Sequence, residues 1–247
     1  MSLFNHGKPM TKNITTAVVL VGGSGLRMRP LTEDMPKCMI RLHGKPLIHW
    51  TLNWLKDYGV NHVVLGVSYR KEAIINYFRD NPSGIMIDFS EHTQDGETGE
   101  GFRLAIKRHV NDTDFFAMNG DELTNLDLKH FADFHLKQEG LATIAVSPMQ
   151  SPFAVLEIKG NDIRGFKEKP LLEDIFVSAG IYVFNHAITE FLPQKGSIEK
   201  TAFPALAARS KLKAYKLKEK ERWLTVNCMK DLSIAEKEFA SLRSNEN

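Results

Sequence analysis

The chain has 247 residues, a formal net charge of +2, 43% hydrophobic residues and 25% charged residues. This composition fits a globular protein with a sizeable core and excludes a disordered or collagen-like chain. Two cysteines far apart, Cys38 and Cys228, exclude a disulfide framework and fit a reducing compartment.

Other features narrow the setting. No apolar run reaches membrane-spanning length and no signal-peptide core opens the sequence, so cytoplasmic residence without a membrane partner is expected. No nucleic-acid partner is expected either: the locally basic stretch, Arg209–Arg222, has seven Lys/Arg against two Glu and reads as a solvated strand face. Residues 1–13 are polar and aperiodic and read as a flexible N-terminal extension. Residues 14–247 then read as a single domain without a hinge linker, in two halves that meet at about residues 140–141.

The first element is a β-branched run, Val18-Val19-Leu20-Val21, that stops at Gly22-Gly23-Ser24-Gly25. Glycines let a backbone turn sharply and approach a ligand, so successive N–H groups can face phosphate oxygens. Arg27, Arg29 and Lys37 follow and can answer phosphate charge. Two familiar templates fail here. No Gly-Lys-Ser/Thr occurs, and Met28 stands where a dinucleotide fingerprint needs its third glycine.

What remains is Gly22-Gly23-Ser24-Gly25-Leu26-Arg27-Met28-Arg29-Pro30-Leu31-Thr32, then Pro36-Lys37-Cys38-Met39. This order and spacing resembles the signature of the sugar-1-phosphate nucleotidyltransferases, with Leu26 for the usual threonine and Cys38 for the second proline. The resemblance implies a GT-A-like nucleotidyltransferase fold, and it implies catalytic roles for Arg27 and Lys37 and nucleotide contacts from Gly22, Gly23, Ser24 and Gly25.

Residues 46–59 read as a helix, with Pro46 in its first turn, Gly59 at its end and Leu47, Ile48, Leu52 and Leu55 on one face. Trp50 and Trp54 read as packing residues. Residues 60–67 read as a buried strand, 70–78 as a helix and 85–89 as a strand. Such alternation implies βαβ units: an α/β, doubly wound, mostly parallel Rossmann-like sheet that binds ligands beyond its strands' carboxyl ends.

Two stretches arrive at that edge. Gly96-Glu97-Thr98-Gly99-Glu100-Gly101 opens a helix and resembles the family segment near the base and α-phosphate, which implies nucleotide contacts from Thr98 and Gly99; Glu100 replaces a glycine and raises a question of crowding. The strand of residues 114–118 leads through Asn119 to Gly120-Asp121, placing a carboxylate at the edge. Mg²⁺ prefers oxygen ligands and rides on phosphates with one or two protein carboxylates. The resemblance makes Asp121 a ligand of that Mg²⁺. Glu122 and Asp127 read as turn and helix-start residues.

From Leu141 the pattern changes to strands at 141–147, 153–158, 163–167 and 176–184, with Gly160-Asn161-Asp162 as a turn between the middle pair. Consecutive strands without helices imply a mixed or antiparallel extension that binds the acceptor. Phe166-Lys167-Glu168-Lys169-Pro170 resembles the family's Glu-Lys-Pro, which implies that Glu168 meets sugar hydroxyls and Lys169 the sugar phosphate. Ala154, where the family has glycine, and Gly180 and Tyr182 belong to the same implied acceptor site.

Residues 197–209 read as a helix, 212–217 and 222–226 as strands, and 231–242 as an amphipathic helix carrying Leu232, Ala235, Phe239 and Leu242. Trp223-Leu224-Thr225-Val226-Asn227 has Thr225 where many relatives carry a metal-binding aspartate. A related subgroup uses asparagine in a Val-Asn setting, which implies Asn227 as the second metal ligand.

Together these motifs imply Mg²⁺-dependent transfer of a nucleotidyl group from an NTP to a phosphorylated small-molecule acceptor, a sugar 1-phosphate, releasing pyrophosphate. The 98–104 turn resembles both cytidylyl- and guanylyltransferases, so CTP or GTP is the expected donor. A cytidylyltransferase for a non-sugar phosphate and an inactive nucleotide-binding regulatory subunit are the alternatives, and homo-oligomerisation is left open.

Overall fold

In the computed structural model, which describes residues 13–243, Thr16–Leu20 forms β1, buried on both faces. The expected N-terminal extension falls on residues 1–12, outside the described residues apart from Asn13; the side chain of Leu242 is also outside them. A short pair, β2 (Arg41–Leu42) and β3 (Lys45–Pro46), leads into α1 (Leu47–Asp57). Then follow β4 (His62–Val67), α2 (Lys71–Asp80), β5 (Met86–Glu91), α3 (Glu97–His109) and β6 (Asp114–Asn119). The second half comprises β7 (Glu122–Thr124), α4 (Leu128–Leu136), β8 (Ala142–Gln150), β9 (Val155–Lys159), β10 (Asp162–Lys167) and β11 (Leu171–Asn185). It ends with α5 (Ala202–Ala207), β12 (Leu212–Lys216), β13 (Trp223–Thr225) and α6 (Met229–Arg243).

Seven strands form one sheet in the order β12-β8-β11-β6-β1-β4-β5. Within this sheet only β11 runs antiparallel to its neighbours, β6 and β8, and β9 and β10 form a separate antiparallel pair, so the second half has the mixed character expected of it. Side chains alternate across each strand and feed two cores. Val19, Val63, Leu65 and Met118 pack with α1, α2 and α4, while Val18, Val64, Phe115 and Ala117 pack with α3 and α5. A third cluster lies beneath the glycine-rich loop, where Met28, Ile40, Leu42 and Val226 meet Leu232, Ala235 and Phe239 of α6. Met28 is therefore a core residue that pins the loop to the last helix.

The sequence expectation fails at two elements. The helix expected over 197–209 shrinks to Ala202–Ala207. Pro204 has no N–H, so a continuous helix through residue 200 would lose a hydrogen bond and meet the proline ring. Glu122, expected in a turn, instead opens β7, which pairs antiparallel with β13: Glu122 faces Thr225 and Thr124 faces Trp223. Asp127 behaves as expected and caps α4 by accepting from the His130 N–H at 3.0 Å. Among the described residues no helix is long and apolar enough to cross a membrane.

Candidate active site

The chain leaves the sheet at the carboxyl end of β1. Val21 N–H donates to the Gly66 carbonyl at 2.8 Å, and among the described residues the next four amides, of Gly22, Gly23, Ser24 and Gly25, find no protein acceptor. Gly25 sits at φ +62°, and a Cβ there would stand 3.0 Å from both Lys37 Cβ and Thr32 Cγ2. Its carbonyl accepts from Met28 N–H and the Thr32 hydroxyl, each at 2.8 Å. The loop is thus braced by its carbonyls while its donors stay free, the arrangement an anion needs.

Lys37 starts a 3-10 turn next to this loop; its side chain is 11% exposed. Its ammonium forms an ion pair with Asp121 Oδ2 and donates to Asn227 Oδ1 at 2.7 Å. Arg27, exposed on the turn Leu26–Met28, donates through Nη2 to the same amide oxygen at 3.2 Å. Gly120 N–H bonds the Leu20 carbonyl at 2.8 Å and Val226 N–H bonds the Asp121 carbonyl at 3.2 Å, which brings the ends of β6 and β13 to the mouth of β1. Asn227 Nδ2 donates to Thr225 Oγ1 at 2.7 Å, turning the amide oxygen toward the two cations. Asp231 accepts from the N–H groups of Asn227 and Cys228, both at 2.9 Å, and so ties α6 to this corner. Four residues expected to act together, Arg27, Lys37, Asp121 and Asn227, meet here.

Glu122 joins them unforeseen. It is buried, accepts from Trp223 Nε1 at 2.7 Å and faces the Thr225 hydroxyl at 3.5 Å. Burial, reinforced by the neighbouring charge of Asp121, pushes its carboxyl up to about 8. The Thr225 hydroxyl links Glu122 to Asn227. The only sequence signal was a second carboxylate directly after Gly120-Asp121. Beside the same corner, burial and Asp121 raise the Cys38 thiol, so it is no nucleophile.

A cleft of about 390 Å³ opens beside the glycine-rich loop, lined by Gly22, Gly23, Lys37 and Asp121 and also by His92, Gln94, Glu97 and Thr98. Several expected contacts are placed differently. Thr98 lines the cleft, but its hydroxyl bonds Glu199 Oε2 and Ile198 N–H, both at 3.0 Å. Gly99 donates its N–H to the Gly196 carbonyl at 2.8 Å, and a Cβ there would meet that carbonyl at 2.4 Å. Its bareness lets the start of α3 pack closely against the loop at Gly196. Glu100 avoids crowding by turning back to the Thr93 N–H at 2.8 Å.

On the acceptor side Tyr182 is a correction. It is 1% exposed and stacks on Phe184 at 5.3 Å within a cluster holding Phe102 and Phe203, so it is core. Gly180, at φ +68°, lies where a Cβ would be 2.9 Å from Asn119 Nδ2 and 3.0 Å from Glu122 Oε1. Ala154 precedes β9, while Glu168 and Lys169 follow β10, exposed and 3.7 Å apart; none of the three lines the cleft.

Asp121 and Asn227 supply a carboxylate and an amide oxygen aimed at one cation, the Lys37 ammonium. Such hard oxygen donors fit Mg²⁺ when phosphate oxygens and water complete its shell. Among the described residues no group of three or more His, Cys, Asp or Glu side chains forms a metal cage.

A sequence model of a family described as nucleotidyl transferase matches residues 16–241. The chain is similar to a probable mannose-1-phosphate guanylyltransferase 3 of Oryza sativa subsp. japonica, 35% identical over 209 residues, covering 79% of this chain and 57% of that protein. It is also similar to a mannose-1-phosphate guanyltransferase of Yarrowia lipolytica, 34% identical over 223 residues, covering 87% of this chain and 61% of the relative. The chain thus spans about three fifths of the length of these curated relatives. Among solved structures, HddC from Yersinia pseudotuberculosis complexed with GMP-PN superposes with a TM-score of 0.70 at 25% identity, covering 92% of this chain and all, 100%, of that one. A UDP-glucose pyrophosphorylase complexed with UDP-glucose gives 0.72 at 18% identity, with 93% of this chain and 100% of that one covered, and shares the GT-A-like fold.

Proposed function

Because the chain belongs to the nucleotidyl transferase family, we propose that it transfers a guanylyl group from GTP to a sugar 1-phosphate, with mannose 1-phosphate as the first acceptor to test, and releases pyrophosphate. The observation that carries this reading is the meeting of Arg27, Lys37, Asp121 and Asn227 at the mouth of β1, beside four amides without protein acceptors. The mannose-1-phosphate guanylyltransferase relatives and the GMP-PN bound to HddC support GTP over CTP.

The amides of Gly22, Gly23, Ser24 and Gly25 hold the triphosphate, and Arg27 faces the leaving pyrophosphate. Lys37 bridges the α-phosphate and the incoming acceptor phosphate. An acceptor phosphate oxygen bonds to the α-phosphorus as the bond to the pyrophosphate oxygen breaks. That oxygen is already anionic, so no general base is needed, and the protein's work is positioning and charge compensation. Asp121 and Asn227 would hold Mg²⁺, which supplies further neutralisation of phosphate charge. Glu168 and Lys169, exposed beyond β10, seat the sugar hydroxyls and phosphate from the acceptor side.

The test is pyrophosphate release from each of four NTPs crossed with a panel of phosphorylated acceptors, with and without Mg²⁺. GTP with mannose 1-phosphate or another hexose 1-phosphate should give the largest kcat/KM. Release from a non-sugar phosphate alone would reassign the acceptor, and nucleotide binding without release from any pair would make the chain a binding subunit.

A further inference from the structure

The segment before and at the start of α3 carries three carboxylates, and two are already engaged. Asp95 accepts from Lys195 Nζ at 2.6 Å, and Glu100 accepts from the Thr93 N–H at 2.8 Å. Glu97 is the one that lines the cleft, and among the described residues its carboxylate has no partner. Its backbone sits at φ +51°, ψ −156°, a region open almost solely to glycine. A glutamate keeps this glycine conformation at the rim of the cleft with its exposed carboxylate unpaired by protein groups, which suits a residue that uses its side chain on a ligand.

Position in the sheet indicates which part of the ligand. The phosphate-facing amides follow β1, and β5, which leads into the His92–Thr98 segment, lies two strands away across β4. That is about 10 Å at the usual strand spacing, so a nucleotide whose phosphates sit at the loop places its base toward Gln94 and Glu97. Guanine presents two adjacent donors there, N1–H and the N2 amino group, spaced like the two oxygens of a carboxylate. Adenine and cytosine present one amino group beside an acceptor nitrogen, and uracil one N–H between carbonyls, each of which a carboxylate repels. We propose that Glu97 is the residue that selects guanine, accepting from N1–H and N2–H together.

This inference rests on the GTP reading above. It is tested by titration calorimetry of the full-length protein with GTP, ITP and ATP in Mg²⁺, ITP differing from GTP only by the missing N2 amino group. The wild-type protein should bind GTP roughly tenfold to a hundredfold more tightly than ITP or ATP. Glu97→Ala and Glu97→Gly should each bring the GTP/ITP ratio close to one, and Glu97→Gln should lose about tenfold in GTP affinity because its amide donor opposes a guanine donor. Glu97→Gly separates contact from strain: it relaxes the backbone and raises the thermal midpoint, yet still loses discrimination. If Glu97→Ala keeps the wild-type GTP/ITP ratio, the inference is overturned while the GTP reading stands. If the wild-type protein itself shows no preference for GTP, both fall.

Discussion

Lys37 Nζ lies 2.7 Å from Asn227 Oδ1, a contact made across 190 residues of sequence. The same ammonium pairs with Asp121, so one cation ties together the ends of β1, β6 and β13. Replacing Lys37 with Ala removes the positive charge placed where the reaction gathers phosphate charge. Turnover should fall on the order of 10³-fold, while the circular dichroism spectrum stays that of the wild type. Lys37→Arg should restore little, since a planar fork cannot sit between two oxygens as a compact point charge does. Near-normal turnover of Lys37→Ala in a pyrophosphate-release assay would refute the site.

Asn227 offers an oxygen without formal charge beside Asp121. Asn227→Asp adds a carboxylate at the same place, and affinity for a hard divalent cation rises with ligand charge. The Mg²⁺ concentration for half-maximal rate should fall by roughly tenfold in Asn227→Asp and rise in Asn227→Ala. An unchanged Mg²⁺ dependence in both variants would remove Asn227 from the metal shell.

Glu122 anchors β13 through Trp223 Nε1 and orients Asn227 by way of Thr225. Glu122→Gln keeps an acceptor for the indole, whereas Glu122→Ala leaves that buried donor unpaired and should cost about 1–3 kcal/mol more in urea unfolding. The carboxyl is pushed up to about 8 in the folded chain, mainly by burial, from an ordinary value of 4.5. Between those values the folded state holds a proton that the unfolded state has released, so this group favours folding below pH 4.5 and loses that benefit as pH rises toward 8. Measured without divalent cation, wild-type stability should therefore decline relative to Glu122→Gln from pH 5 to pH 8; parallel curves would show that Glu122 does not titrate this way.

What could be read beforehand was chemistry on neighbouring positions and burial at helical or strand spacing. The loop from Gly22 to Arg27, the Gly120-Asp121 turn and the apolar face of α1 all carry their signal locally. Glu122 does not. Its strand is three residues long and its partner, Trp223–Thr225, lies about a hundred residues on, so no periodicity marks it and only the tertiary pairing buries it. Tyr182 shows the same limit from the other side. Its residue type suits either a site or a core, and the register of β11 against β6 turns it into the aromatic cluster. Gly99 is likewise decided by a loop from the far half of the chain, at Gly196.

His135 of α4 gives a pH dependence remote from the site. It is 2% exposed, its Nδ1 lies 2.8 Å from Thr143 Oγ1, and its Nε2 lies 3.6 Å from Asp114 Oδ1. Burial lowers its affinity for a proton, and the Asp114 carboxylate offsets this only in part, so the net shift is below the ordinary value of 6.5. As pH falls through 6.5 the unfolded chain takes up a proton that the folded chain resists. The histidine's contribution is therefore intact above pH 6.5 and is lost progressively below it. Wild-type protein should lose thermal midpoint between pH 7.5 and pH 5, and His135→Gln should lose about 2–4 °C less, the shift that about 1 kcal/mol produces in a chain of this size. Equal losses in the two proteins would show that His135 is protonated as easily folded as unfolded.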